Sequence, residues 1–394
     1  MLSFIKQVGP LLKMGLQTVS QRKGTSSVIV IGIAGVVAVL VSMLAIGAGL
    51  DRSLQGGGRD DNVLLMSAGS GEETASAISR DAASVVASLP QVARADDGSP
   101  VVSEEVVTVF PAKFSKSMED GNVSLRGVGK QALSLHSGIR LVDGRLFQPG
   151  LQELIVGVGV ARMFHGFGLG DKVRIGNGIW TVTGHYTSQS IHDSEVLCDL
   201  DTLRSALGMG TYVNSVYVRL RSRADVQGFK DAVARNTALH LVTQVESDYF
   251  ASQSQGMSET LRTVAYAIGA IMAMGALFGS IHSLYISADA RKTEMATLRA
   301  IGFRNDSIIV AFMIEAVALS LVGGCIGAAL SWAAFNGYSA STINTGLSQV
   351  VFELSVSWGL VITGITWACT IGLLGAFVPA VRAARLPVAL ALRT

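Results

Sequence analysis

Apolar and polar positions divide the chain into long uninterrupted runs and short alternating ones. Residues 28–50 and 356–381 carry no ionisable group, residues 263–288 carry only His282, and residues 308–335 carry only Glu315. At about 1.5 Å per residue the first run makes about 34 Å of helix, enough to cross a hydrocarbon core of about 30 Å. A secretory signal has an apolar run of only about 7–15 residues, so residues 28–50 read as a permanent anchor. Between the first two runs the period shortens. NVLLM (62–66), VVSEEVVTVF (101–110), NSVYVRLRS (214–222) and LHLVTQV (239–245) read as strands, while TASAISRDAASVVASL (74–89) and DVQGFKDAVARNTA (225–238) repeat as helices. DKVRIGNGIWTVTGHY (171–186) holds two alternating runs joined by Gly-Asn-Gly, a hairpin signature. The pattern predicts a membrane protein of four transmembrane α-helices. A large α+β extracytoplasmic domain is inserted between spans 1 and 2, built as two βαβ-like units around a β-rich insertion at 121–200.

Composition agrees with that division. Of 394 residues, 49% are hydrophobic and only 15% charged, against about 25% charged in soluble domains. The net charge of +2 gives no reason to expect nucleic acid. Lys6, Lys13, Arg22 and Lys23 precede span 1; Arg291, Lys292, Arg299 and Arg304 follow span 2; Arg382, Arg385 and Arg393 end the chain; loop 336–355 has no Lys or Arg. The positive-inside rule therefore places both termini and residues 289–307 in the cytoplasm. The predicted order is an amphipathic cytoplasmic N-terminal helix (1–27), span 1 (28–50), an outer domain with stalk (51–262) and span 2 (263–288). A cytoplasmic helix (289–307), span 3 (308–335), a short outer loop (336–355), span 4 (356–381) and a cytoplasmic tail (382–394) follow. Cys198 is the only cysteine outside the spans, so no disulfide is expected within the outer domain.

Signs of covalent chemistry are weak. Gly157-Val-Gly159 follows a strand-like run, but Arg162 stands where a dinucleotide fingerprint needs its third glycine, so a tight strand exit is expected. His185, His192, Asp193 and Glu195 form a loose metal-like group whose spacing fits no defined site, and a solvated loop is the expectation. The sequence holds neither a Walker phosphate loop nor a Gly-x-Ser-x-Gly nucleophile elbow.

Residues 289–307 are the informative segment. Met295, Leu298 and Ile301–Gly302 recur at helical spacing among Arg291, Glu294 and Arg304. A short helix with an apolar ridge can lie on the membrane surface, fill a groove on a soluble partner, or merely orient the spans. Here Arg291, Glu294, Met295, Leu298, Arg299, Ala300, Ile301 and Gly302, together with the ending PAVRAARLPVALALR (Pro379, Arg382, Arg385, Pro387, Arg393), carry a resemblance. The chain resembles the permeases of the MacB/FtsX/LolC group of ABC transporters, the type VII or mechanotransmission family. Residues 127–147 with 153–164 resemble the MacB-type periplasmic domain, more loosely.

The resemblance implies a non-catalytic permease subunit of a bacterial inner membrane. It implies that Arg291, Glu294, Met295, Leu298, Arg299, Ile301, Gly302 and Phe303 meet a separate ATPase subunit. Two ATPases, holding ATP and Mg, would serve a homodimer of this chain, which itself binds no cofactor. ATP-driven movement would then pass through spans 1 and 2 to the periplasm. MacB-like export with a periplasmic adaptor and an outer-membrane channel is the preferred implication; LolC-like lipoprotein extraction and FtsX-like signalling to a cell-wall hydrolase are the alternatives. Within the spans, Gly275 with Gly279 and Gly323 with Gly327 have the four-residue spacing of close helix contacts. His282 and Glu315 lie about 10 Å deep from the same face, and they are expected to interact.

Overall fold

A computed structural model describes the chain apart from residues 1–22, 56–57, 137, 189, 238, 344–347 and 386–394. The amphipathic N-terminus and Pro387 thus lie outside the described residues. The chain forms two compact units, residues 49–258 with 339–353, and the remainder.

Helix α1 (Lys23–Gln55) leads into the outer unit. In chain order follow β1 (Asn62–Ser67), β2 (Ile78–Ser79), α2 (Arg80–Ala87), β3 (Val102–Lys113), β4 (Asp120–Val128), α3 (Ala132–Leu135) and β5 (Arg140–Gly144). Then come β6 (Glu153–Gly157), α4 (Val158–Met163), β7 (Lys172–Ile175), β8 (Gly178–Thr187), β9 (Glu195–Asp199) and α5 (Leu200–Leu207). β10 (Tyr212–Val213), β11 (Ser215–Arg219), α6 (Asp225–Arg235) and β12 (Leu241–Val245) complete the inserted part. The main sheet runs β12-β1-β11-β3-β4-β9-β6-β8-β5, with β7 hydrogen-bonded to β8.

The expected βαβ-like units, β1-α2-β3 and β11-α6-β12, are present but interleaved. β1 lies antiparallel between β11 and β12, and β11 lies antiparallel between β1 and β3, so each unit's strands are split by one from the other. Both helices cover one face: Ala83 and Val86 of α2 and Phe229 and Val233 of α6 share a buried cluster with Val63, Leu65, Val216 and Val218. The helix expected over 74–89 starts only at Arg80. Ser79 Oγ caps it by accepting from Ala82 N at 3.3 Å, while Ile78–Ser79 pair with Tyr212–Val213 and Glu73–Ala75 make a short 3-10 turn. The 171–186 hairpin closes on the Ile175–Gly178 pair, with Gly176 at φ +56° in the left-handed region that such a turn requires.

The described residues of loop 336–355 are structured. β13 (Ser339–Ile343) and β14 (Gln349–Glu353) form an antiparallel hairpin of the outer unit. Ser194 Oγ donates to Val351 O at 3.1 Å and accepts from Val351 N at 2.8 Å, and Arg162 pairs with Glu353.

The helical unit contains most of α1, part of α7 (Glu246–Ala290), α8 (Lys292–Ala300), α9 (Asn305–Phe335) and α10 (Trp358–Ala384). Four of these helices, α1, α7, α9 and α10, are long and apolar enough to cross a bilayer. Small residues set the spacing. A Cβ on Gly323 would lie 2.8 Å from Val30 O and one on Gly327 would lie 2.4 Å from Ala34 O, so these two glycines let α9 approach the backbone of α1 within the chain. Gly275 and Gly279 meet nothing within 4 Å.

Candidate functional site

Two polar assemblies stand out, one in each unit. In the helical unit, α8 joins the two apolar helices α7 and α9. Arg291 precedes it and donates to Glu294 at 3.1 Å and to Glu315 at 3.2 Å. Glu315, a buried carboxylate within α9, therefore has a cationic partner. The expected His282–Glu315 contact is replaced by this Arg291–Glu315 pair, and His282 is exposed on α7. The reason is reach: the long Arg291 side chain folds back from the connection to a carboxylate that needs compensation inside an apolar helix.

The end of α8 is a Schellman stop. Phe303 N donates to Leu298 O at 3.1 Å and Gly302 N to Arg299 O at 3.0 Å, with Gly302 at φ +104°. This gives the Ala-Ile-Gly triplet a structural meaning: only glycine takes that conformation without strain. The apolar ridge does not face one way. Residues three apart fall about 60° short of a full turn, so Met295 is buried with Ile308 and Phe312, Leu298 is half-buried, and Ile301 is 72% exposed. Of the residues expected to meet a partner, Glu294, Ile301 and Gly302 face outward; Arg299 and Phe303 are half-buried. Met295 and Arg291 are turned inward, Met295 against Ile308 and Phe312 and Arg291 against Glu315. The C-terminal motif is partly structural too. Pro379 is buried inside α10 and Arg385 caps it, while the Arg382 guanidinium lies 5.4 Å over the Tyr285 ring.

In the outer unit, the sheet face opposite α2 and α6 carries Asn62, Glu105, Arg126, Glu195, Ser215 and Tyr217, all buried. Arg126 donates to Glu73 at 2.8 Å, to Glu105 at 2.9 Å, and through two nitrogens to Glu195 at 2.8 and 2.9 Å. Ser215 and Tyr217 hydroxyls donate to Glu73 at 2.6 and 3.0 Å. His136 Nε2 lies 2.7 Å from Glu105 Oε1, and His192 Nδ1 lies 2.8 Å from Glu195 Oε2. Burial opposes ionisation of Glu105, but His136 and Arg126 beside it outweigh that and hold its carboxyl down at about 2. Burial likewise opposes charging of His136, but Glu105 and Glu246 hold the imidazole up to about 10. Glu195 is held well below the usual carboxylate range, Arg126 and His192 overcoming its burial.

The loose group expected to be a solvated loop is thus corrected. His192 and Glu195 are interior, because the polar sheet face is roofed by residues 132–136, 191–195 and 246–250. His185 is separate, bonded through Nδ1 to Asp143 at 2.7 Å and through Nε2 to Phe167 O at 2.7 Å. Asp193 caps the turn before it, accepting from Ser188 N at 2.5 Å. The glycine pair is a strand exit: a Cβ on Gly157 would lie 2.3 Å from Asp193 O.

Two family models match the chain: the MacB-like periplasmic core domain over residues 26–236 and the FtsX-like permease C-terminal over residues 266–388. The chain belongs to the MacB/FtsX family of ABC transporter permeases. Among its relatives, the macrolide export ATP-binding/permease protein MacB of Bdellovibrio bacteriovorus is 26% identical over 95% of this chain and 60% of that protein. MacB of Escherichia coli is 26% identical over 67% of this chain and 42% of that protein. The chain spans about half the length of these curated relatives. The periplasmic region of MacB from Actinobacillus actinomycetemcomitans covers 50% of this chain and 92% of that one, at 14% identity and a TM-score of 0.37. In MacB/FtsX terms, the buried ionic face lies within the periplasmic core match, and α8 lies within the permease match.

Proposed function

We propose that this chain is the membrane subunit of an ABC exporter in which ATP hydrolysis by an ATPase partner drives movement of the outer unit. The observation that carries this reading is α8: a short helix between two apolar helices, locked inside by Met295 and the Arg291–Glu315 pair, stopped by Gly302, and offering Glu294 and Ile301 to a partner. A helix anchored on one side and open on the other transmits a push; a freely hinged loop does not. α7, helical from Glu246 to Ala290, supports a role as the lever that carries the movement outward. The inner ends of α8, α7 and α9 face the cytoplasm in this reading, with Arg291, Lys292, Arg299 and Arg304 favouring that side.

The working unit is proposed to be two copies of this chain with two ATPases. The exposed apolar positions Ile271, Met274 and Phe278 of α7 support a second copy there. The relatives' names speak of macrolide export, which supports transport out of the cell, with a periplasmic adaptor and an outer-membrane channel as further partners. The test is the double variant Glu294→Lys with Ile301→Asp. It should still insert in the membrane but lose at least tenfold of its ATPase co-purification and of ATP-dependent function. Unchanged co-purification would remove α8 as the docking element.

A further inference from the structure

We propose that His136, His192 and Glu246 form a zinc-class divalent metal site inside the outer unit. The free ligand atoms of these residues all lie within 4.8 Å of one another, and all three residues are buried. His136 Nδ1, His192 Nε2 and Glu246 Oε1 are also buried atoms with no hydrogen-bond partner. His136 Nδ1 and Glu246 Oε1 stand 3.7 Å apart, too far for a hydrogen bond. Three orphaned polar atoms converging on one point are costly unless something sits between them.

Each residue's other polar atom is already fixed. Ionised Glu105 and Glu195 accept hydrogen bonds but donate none, so His136 carries its proton on Nε2 and His192 on Nδ1. The orphaned nitrogens then face the common point, where a metal would take the place of the second proton that His136 otherwise carries. Glu246 Oε2 accepts from Asn62 Nδ2 at 2.9 Å and from Arg59 N at 3.0 Å, leaving Oε1 to face the imidazoles. A carboxylate behind each ligating histidine is how metal-binding imidazoles are oriented and made more basic.

Charge favours a cation here. Glu73, Glu105, Glu195 and Glu246 are buried beside a single buried guanidinium, that of Arg126. Arg219, partly buried nearby, donates to Asn62 Oδ1 and Leu135 O rather than to a carboxylate. Two imidazoles and a carboxylate suit zinc rather than calcium or magnesium, which take oxygen ligands. Tetrahedral zinc with bonds of about 2.0–2.1 Å holds its ligand atoms about 3.3 Å apart, so the His136–Glu246 pair, at 3.7 Å, needs to draw in only slightly on loading. A water would complete the tetrahedron as fourth ligand. Glu246 is the first residue of α7, so the metal would pin the start of that helix to the sheet.

The test uses the full-length chain, purified in detergent without a histidine tag. Elemental analysis should find about one zinc per chain. Chelation should lower the melting temperature of the outer unit, and added zinc chloride should restore it. The rise should be about 5–10 °C when free zinc reaches a hundredfold its dissociation constant. Glu246→Gln and His192→Gln should each cut zinc content at least tenfold and abolish the shift. Cobalt in place of zinc should give the visible absorption of a tetrahedral centre in the wild type only. A folded wild-type chain that holds no metal and whose melting is indifferent to zinc overturns the proposal, as do variants that keep full occupancy.

Discussion

Arg126 holds three buried carboxylates at once, and removing it strips each of its guanidinium partner. Arg126→Met should cost about 3–5 kcal/mol of the outer unit's stability, read by urea unfolding; a loss below about 1 kcal/mol would mean that the carboxylates find protons or other partners. Glu105, held at about 2 in the folded chain against 4.5 for its ordinary value, contributes stability that is present above pH 4.5 and lost as the pH falls through about 2. The unfolding midpoint should therefore decline between those values, and a flat profile there would contradict the pairing. None of this was legible at the residue scale. Glu105 follows Glu104 and Arg126 lies between Leu125 and Gly127, so both read as solvent-facing strand positions, and the segments that roof them, 132–136, 191–195 and 246–250, are remote in sequence. The available signal was collective: polar side chains recur at alternate positions on β3 (Ser103, Glu105), β4 (Ser124, Arg126) and β11 (Ser215, Tyr217).

At the scale of elements, long apolar periods were easy to read and short ones were not. The four long apolar helices and the strands at 62–67, 102–113 and 215–219 follow directly from period and length. The β13–β14 hairpin did not, because a loop between two spans carries no period that marks it for the outer sheet unit. The α8 segment was legible as a short helix with an apolar ridge, but its glycine stop and its partly inward turn were not, since i to i+3 spacing drifts around the axis. Two glycine substitutions test the packing. Gly302→Val forces a β-branched residue into positive φ and should cost at least about 1 kcal/mol, seen as faster hydrogen exchange over residues 298–306; unchanged exchange would deny the stop its role. Gly327→Leu would drive its side chain into the α1 backbone at Ala34 and should lower the melting temperature of the helical unit. Full retention of that temperature would mean that α1 and α9 do not meet as described.

The whole molecule must pair with a second copy and couple to its ATPase. Gly275 has open space around it, so Gly275→Leu should leave the folding of one chain intact but weaken pairing of two copies, read by crosslinking along α7; undiminished crosslinking would put the subunit interface elsewhere. Coupling is the central demand, and it is tested most directly by photocrosslinking in the native membrane. A photoreactive residue at Ile301, 72% exposed, should form a covalent adduct with the ATPase, whereas the same residue at Met295, 6% exposed, should not. Adducts at both positions, or at neither, would contradict the proposal that α8 docks by its outer face while its inner face is locked to the spans.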